Sequence, residues 1–497
     1  MQPFLFQTAQ PDRQPFRPVQ AVLAWLRYEL YTQKLNSPLG YVLLTLMAFG
    51  VARIIGVGGT AGATWLIGSL VLIPALLVSV FHVRFGLLLL TGASFFILGL
   101  KRWLPGDPPV TLFIDAGVAA LLFGVFLRQI SRRDWQFLAA PLTFVMVLWL
   151  VYNVLELLNP VAPTQLSWIF AVRGQAWIFL LYAVGLYVFD DLKYLRRLAF
   201  MWVAIVTLSA VYGLVQEFFG LRGFEWKWAL ANADNYSLIE GGRRTFSFFS
   251  DPAIFGNLLS VTSLFTLVFI TLSRMPLMRK ALLAGALLLM LAAMLTTGTR
   301  TAWLILPAGY GLVMLLTLNL RIWLTGLLGV GLGALIWFMA PATPQVQRIK
   351  ESFVPERTAS FRLRMNEEND AQPFIYRYPM GSGVGTTGGW GQRITPDEPL
   401  AQLPAKGGYL RMAVETGWIG LILYLALICT ALITSIRGYF RAEHYQLRTW
   451  YAAFAGVIFA LALAEYTHQT LTQMPLNLLF CLSLAAVVRL RGVTPAA

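Results

Sequence analysis

Residues 281–319 read ALLAGALLLMLAAMLTTGTRTAWLILPAGYGLVMLLTLN. Two apolar runs, each close to the roughly 20 residues that carry a helix across a bilayer, meet at Thr296-Thr297-Gly298-Thr299-Arg300-Thr301. Arg300 is the single charged residue between Lys280 and Arg321. The pattern predicts two transmembrane helices joined by a tight polar turn. A guanidinium does not lose its proton, so this one sits at membrane depth on one defined side, suited to holding a phosphate or a carboxylate.

Outward from this stretch the same pattern repeats. The 497 residues are 58% hydrophobic and 12% charged, with a mean hydropathy of +0.66, whereas a soluble domain carries about 25% charged residues. Apolar blocks of about twenty residues recur from Tyr41 to Leu490. They predict an all-α polytopic transmembrane helix bundle of about 12–14 spans and exclude soluble enzyme folds. The expected organisation is a leader over 1–39, helices over 40–340 with an outer loop at 220–251, a large partly helical loop over 341–406, helices over 407–490 and a tail over 491–497. Val19, Val22, Leu23, Leu26 and Leu30 recur at helical spacing beside Arg27 and Lys34, which predicts an amphipathic helix on the membrane surface. The final expected span covers 474–490. Cys429 and Cys481 both lie inside apolar runs and read as small buried hydrophobes; neither a metal site nor a cofactor is expected.

The formal charge of +15 does not indicate nucleic acid, because the basic residues form short clusters between apolar runs. Alternate connections collect them: Arg128, Arg132 and Arg133; Lys193, Arg196 and Arg197; Arg274, Arg279 and Lys280; Arg321; Arg437, Arg441 and Arg448. The positive-inside rule makes these connections, and both termini, cytoplasmic. The two long connections, 220–251 and 341–406, then face outward. The second is far longer than the two to eight residues usual between bundle helices, so it reads as a functional cap. Val346, Ile349 and Phe353 predict a helix over Gln345–Phe353 within it.

On that topology the outer helix ends carry cations: Arg173 about two turns into its span, Arg243 and Arg244, Arg300, and Lys406. A charge placed like Arg173 costs about 2.5–3.5 kcal/mol unless it faces the bundle interior. Together these residues predict an outward-facing anion site, for which a lipid-linked diphosphate is a fitting ligand: its head lies at that depth and its oxygens accept paired guanidinium bonds. Asp251-Pro252 reads first as a helix start, Asp251 capping and Pro252 in the first turn. The Gly381-Ser382-Gly383-Val384-Gly385 turn is either a plain tight turn or a place where backbone approaches a glycan or phosphate. Its G-x-G-x-x-G spacing from Gly383 to Gly388 lacks a surrounding βαβ unit, which rules out a dinucleotide site.

Four segments come in a telling order. They are Arg-Thr-x-Ser-x-Phe-x-x-Pro-x-x-Phe-Gly from Arg244, Thr-Gly-Thr-Arg-Thr-Ala-Trp from Thr297, Pro-Met-Gly-Ser-Gly-Val-Gly from Pro379, and Gly-Tyr-Leu-x-x-x-x-Glu-Thr-Gly-x-x-Gly from Gly408. In this order, with the large loop between the second and third, the chain resembles the O-antigen ligase and polysaccharide polymerase superfamily. The resemblance implies an inner-membrane glycosyltransferase, multi-pass with a periplasmic active face, that moves a glycan from an undecaprenyl-diphosphate carrier to an acceptor sugar hydroxyl without metal or nucleotide. It implies as partners the lipid-linked donor, an acceptor glycan or glycolipid, the bilayer, and a chain-length regulator or export complex. By resemblance Arg244 and Arg300 act on the diphosphate and Glu415 matches a family glutamate, these three forming the catalytic set. Arg173, Arg243, Arg362, Lys406, Gly381, Gly383 and Tyr409 are the expected substrate contacts.

One departure separates subclasses. Ligases carry a histidine just before the Tyr-Leu pair, where this chain has Lys406-Gly407-Gly408-Tyr409-Leu410. A protonated lysine suits a phosphate contact better than a general base, which favours a polymerase. Glu415, Asp251, Glu217 and His468 are then the candidate bases, with Glu415 equally readable as a partner of Arg300 or Arg173. Glu367, Glu368 and Asp370 read as a solvated acidic patch. The rival class is a transporter or flippase of an anionic substrate, whose marks would be inverted repeats or helices broken at mid-membrane.

Overall fold

The computed structural model describes residues 38–102, 111–133, 135–231, 244–339, 359–403 and 405–492, and among them every regular element is helical. Among the described residues eleven helices are long and apolar enough to cross a membrane, and two further apolar stretches, Gly68–Phe81 and Leu320–Gly331, are shorter. The first two expected spans join in α1 (Pro38–Phe81), which kinks at Gly59. The spans α2 (Val83–Lys101), α3 (Thr111–Arg132), α4 (Pro141–Leu155), α5 (Gln165–Val188) and α6 (Leu192–Phe219) follow. After the short α7 (Gly223–Ala231) come α8 (Pro252–Leu272), α9 (Leu277–Thr297), α10 (Arg300–Thr317) and α11 (Leu320–Met339).

The large loop contributes α12 (Ala359–Arg377), α13 (Gly388–Ile394) and α14 (Pro399–Gln402). The chain then returns through α15 (Gly408–Arg441), α16 (Tyr445–Thr467) and α17 (Leu476–Arg489). The expected span over 474–490 is thus a helix of 14 residues, below the length that crosses a hydrocarbon core unaided. It is buried along most of its length against α5.

At the centre stand α8 and α16, each with 78% of its apolar window buried. α8 packs on α6, α9, α10 and α16. Phe265 and Phe269 of α8 meet Trp450 and Phe454 of α16, with Phe269 and Trp450 edge to face at 4.7 Å. Outward-facing side chains such as Phe144, Phe218 and Leu327 are 69–79% exposed, as a lipid-facing perimeter requires. Cys429 belongs to that exposed surface, not to the core; Cys481 is buried, and both are free thiols.

The two ends of the bundle differ in chemistry. At one end basic residues clamp chain turns: Arg84 pairs with Asp190, Arg128 bonds the Phe81 carbonyl, Arg448 donates to Ala442 O at 2.8 Å, and Arg274 lies 4.6 Å over the Tyr445 ring. The opposite end gathers the starts of α5, α8, α10 and α15 and the finishes of α9 and α16, where the polar groups described below converge.

The described part of the large loop is mainly α12, a polar helix over a stretch given no regular structure in the sequence reading. Its Ala371 and Ile375 form a small core with Ala413 and Val414 of α15. The helix expected over Gln345–Phe353, the surface helix of the leader and Arg243 all lie outside the described residues.

Candidate functional site

The turn over 244–250 is held from several directions. Gln216 of α6 accepts from the amides of Phe246 (3.3 Å) and Ser247 (2.8 Å), and it is itself fixed by Glu225 of α7, which takes its Nε2–H at 2.7 Å. Ser247 has a positive φ of 50°, a conformation that costs a non-glycine residue on the order of 1–3 kcal/mol. The amide bonds and an Oγ–H donated to Ser209 O at 2.7 Å hold it there. From α2, Arg102 donates to Ser247 O and Phe249 O and lies against the Trp228 and Phe246 rings, 4.0 and 4.4 Å from their centroids.

Set by this frame, Arg244 reaches the turn between α9 and α10. Its Nε–H donates to Thr297 O at 2.9 Å and its Nη2 to Thr299 Oγ1 at 3.2 Å. Thr299 in turn donates to Pro252 O at 2.9 Å, and Arg300 opens α10 at the next position. The sequence therefore folds both arginines of its first two motifs onto one short turn beside the N-terminus of α8.

Asp251 caps α8 as read from the sequence, accepting from Ala253 N at 2.6 Å. Its second oxygen meets Nε2 of His468, in the connection after α16, at 3.2 Å. Burial alone would push the Asp251 carboxyl up. The His468 hydrogen bond and charge, the Ala253 amide and the charge of Arg244 together hold it below the usual carboxylate range.

A second construction lies next to the first. At Gly417, φ is 64° and α15 breaks, so the Val414 and Glu415 carbonyls lose their intrahelical donors. The loop supplies replacements: Ser382 N donates to Val414 O and Gly383 N to Glu415 O, both at 2.9 Å, while Trp418 N turns to Pro379 O at 2.9 Å. Tyr152 OH of α4 donates to Thr416 O at 2.8 Å. Irregular backbone in a span survives only where protein satisfies it. Gly381 has a φ of 77°, and a side chain there or at Gly417 would collide with the facing backbone. The glycine turn thus serves as a latch between the loop and the broken helix.

Between α5, α13 and α15 lies a cavity of about 280 Å³. Arg173 lines it and pairs with Asp115 of α3 at 3.0 Å. Arg411 lines it too, pairing with Glu415 at 2.7 Å and donating to Gln469 Oε1 at 2.7 Å. Glu415 also accepts from Thr387 Oγ1 at 2.7 Å. Its partner is therefore Arg411, rather than Arg300 or Arg173. Residues 285–425 match the O-antigen ligase family. A comparison with curated proteins finds no match to the chain. The O-antigen ligase segment runs from α9 through the α9–α10 turn, the latch and the break of α15, so it contains Arg300, Arg411 and Glu415; Arg173, Arg244 and His468 lie outside it.

The expected cations accordingly fall into two neighbouring groups. Arg244 and Arg300 share the α9–α10 turn, and Arg173 belongs to the cavity. Lys406 is exposed, and its backbone amide donates to Glu367 Oε2 at 3.4 Å. Arg362 is exposed on α12. Tyr409 is anchored through its hydroxyl to Ala462 O at 2.8 Å, and Gly381 and Gly383 sit in the latch with their amides donated to Tyr378 O and Glu415 O. Sequence reasoning missed Arg411 and Asp115. The signals were present: Arg411 stands four residues before Glu415, the spacing of a helical ion pair, and Asp115 is the one acid in the apolar run over 111–127.

Proposed function

We propose that the protein is a membrane glycosyltransferase of the O-antigen ligase and polymerase type, moving a glycan from a lipid-diphosphate carrier to an acceptor hydroxyl at the bundle end that holds Arg244 and Arg300. One observation carries the reading: the Arg244 guanidinium lies on the turn from which Arg300 starts α10, beside Asp251 and His468. The family match over 285–425 supports the same class. The clustering of basic residues at the opposite end supports a periplasmic site in an inner membrane, with both termini cytoplasmic.

In this mechanism the acceptor oxygen bonds to the anomeric carbon while the bond from that carbon to the diphosphate oxygen breaks, the electron pair leaving with the diphosphate. Arg244 and Arg300 stabilise the growing negative charge, the role fixed cations fill best in a site with little water. The proton leaves the acceptor hydroxyl for His468 Nδ1, while Asp251 holds the ring through Nε2–H. Glu415, bound by Arg411 and Thr387, positions the α15 start. Polymerase activity is favoured over ligase activity because Lys406 stands where ligases carry their histidine.

A transporter draws some support from the break in α15. The Val414 and Glu415 carbonyls freed there nevertheless accept from the chain's own Ser382 and Gly383 amides, so the break serves to seat the loop.

With purified enzyme and lipid-linked donor, Arg244→Ala and Arg300→Ala should each lower glycan transfer by about 100-fold or more while insertion and melting temperature hold. Full activity in both variants would sink the diphosphate role. Deleting the gene and sizing the surface polysaccharide distinguishes the subclasses: shortened chains mean a polymerase, and full-length chains left on the lipid carrier mean a ligase.

A further inference from the structure

The cavity beside α5 is not the diphosphate site, and its chemistry indicates a different ligand. Both guanidiniums on its wall already face carboxylates, Arg173 with Asp115 and Arg411 with Glu415. A diphosphate entering there would have to compete with these ion pairs, and breaking a partly buried pair is costly. Among the described side chains that line the cavity, the buried atom left without a hydrogen bond is neutral. The side chain of Gln175 is 5% exposed, and its Oε1 has no hydrogen-bond partner among the described residues, a loss worth about 1–3 kcal/mol unless a ligand donor fills it.

Gln473 adds a second amide to the wall, and Phe170 and Trp390 stack at 5.3 Å to form an apolar side. Planar amides and guanidiniums facing an aromatic wall match a pyranose, whose hydroxyls lie around its rim and whose C–H faces are apolar. The volume is near the lower end of the roughly 300–1,000 Å³ of small-molecule pockets.

The geometry points to this cavity as the subsite for the acceptor saccharide, a neutral hydroxyl-rich glycan end held by Gln175, Gln473 and Arg411 against Phe170 and Trp390. The assignment to the acceptor rests on the glycosyl-transfer reading. His468 and Gln469 are consecutive: the first faces Asp251 and the Arg244 turn, while the second reaches Arg411 and the Ala405 carbonyl. The cavity wall and His468 are thus joined through one short connection after α16.

The test uses full-length protein in nanodiscs and two probes, the reducing oligosaccharide released by mild acid from the producing strain's surface polysaccharide, and inorganic pyrophosphate. Saturation-transfer NMR should show the oligosaccharide bound to wild type and to Arg300→Ala. It should be weakened about tenfold or more in Trp390→Ala and Gln175→Leu, with Gln473→Ala as a milder variant should either fold poorly. In transfer assays the same variants should raise the acceptor KM and leave kcat at saturating acceptor within about twofold.

Pyrophosphate should bind the Trp390 and Gln175 variants as it binds wild type. Unchanged oligosaccharide binding in the cavity variants, or displacement of the oligosaccharide by pyrophosphate, overturns the assignment. If wild type transfers no glycan yet binds the oligosaccharide through Trp390, the saccharide site stands and the transferase reading falls.

Discussion

In the proposed transfer a histidine, an aspartate and two arginines carry the chemistry at the residue scale, and their order of importance can be measured. His468→Gln keeps a polar side chain but removes the base, so transfer should fall by about 10²–10⁴-fold. Asp251→Asn should fall less, because it disturbs orientation and leaves the imidazole. Equal activity of His468→Gln and wild type across pH 6–9 would exclude the base role. Asp251 also makes a stability prediction. Its carboxyl is held below the usual range, so its contribution is fully present above the unfolded value of about 3.9 and fades as acid carries the pH down through the lower folded value. Melting curves of wild type and Asp251→Asn should therefore diverge above about pH 4 and draw together below it. Arg300 stands out in the sequence as a lone charge between two apolar runs, and Arg244 as half of a basic pair just before an Asp-Pro helix start. His468 was one of four candidate bases, since nothing local in Tyr466-Thr467-His468-Gln469 reveals a partner 217 positions away.

The elements show where periodicity succeeds and where it fails. Hydropathy located the spans well, because a bilayer demands about twenty apolar residues whatever their neighbours. At 474–490 the regular helix is α17, 14 residues long, which meets protein along most of its length. Hydropathy gave no sign of α12, a polar helix with Pro373 inside it that is stabilised by the patch it shares with α15. The latch was equally hidden. Its glycines suggested a turn, but the donors it supplies matter only because Gly417 breaks a helix some thirty residues later. Gly417→Ala should force a side chain into the Pro379 carbonyl and cost about 1–3 kcal/mol from strain alone. The expected readout is faster proteolysis at the Gly388–Gln402 segment in folded protein. Gln216→Leu should cost a similar about 1–3 kcal/mol by stranding the Phe246 and Ser247 amides, and should lower transfer through a displaced Arg244.

At the scale of the whole molecule the expected orientation gives a direct test. Asp397 is exposed on the loop. In a background with Cys429→Ser and Cys481→Ala, Asp397→Cys should react with a membrane-impermeant maleimide added to spheroplasts. Protection there, with labelling only in inverted vesicles, would turn the molecule upside down and place Arg244 and Arg300 on the cytoplasmic side. The charge asymmetry that predicts this orientation is a property of the entire chain and was readable at once. The division of that end of the bundle into the Arg244–Arg300 turn and a separate cavity was not readable, because it depends on which carboxylate each arginine meets: Asp115 lies 58 positions before Arg173, whereas Glu415 lies on the same helix as Arg411.

Pinning the large loop at its midpoint also bears on how such a molecule can diversify. A connection tied down at Pro379–Gly383 behaves as two shorter excursions, and lengthening a closed segment raises its closure entropy only slowly, by about 0.6 kcal/mol per doubling. The excursion after the latch carries α13 with Trp390. Residues could be inserted or exchanged in it without moving the α9–α10 turn or the start of α15. On the proposed function, lineages that build different sugars could thus remodel the wall that α13 gives the cavity while the Arg244–Arg300 turn is inherited unchanged.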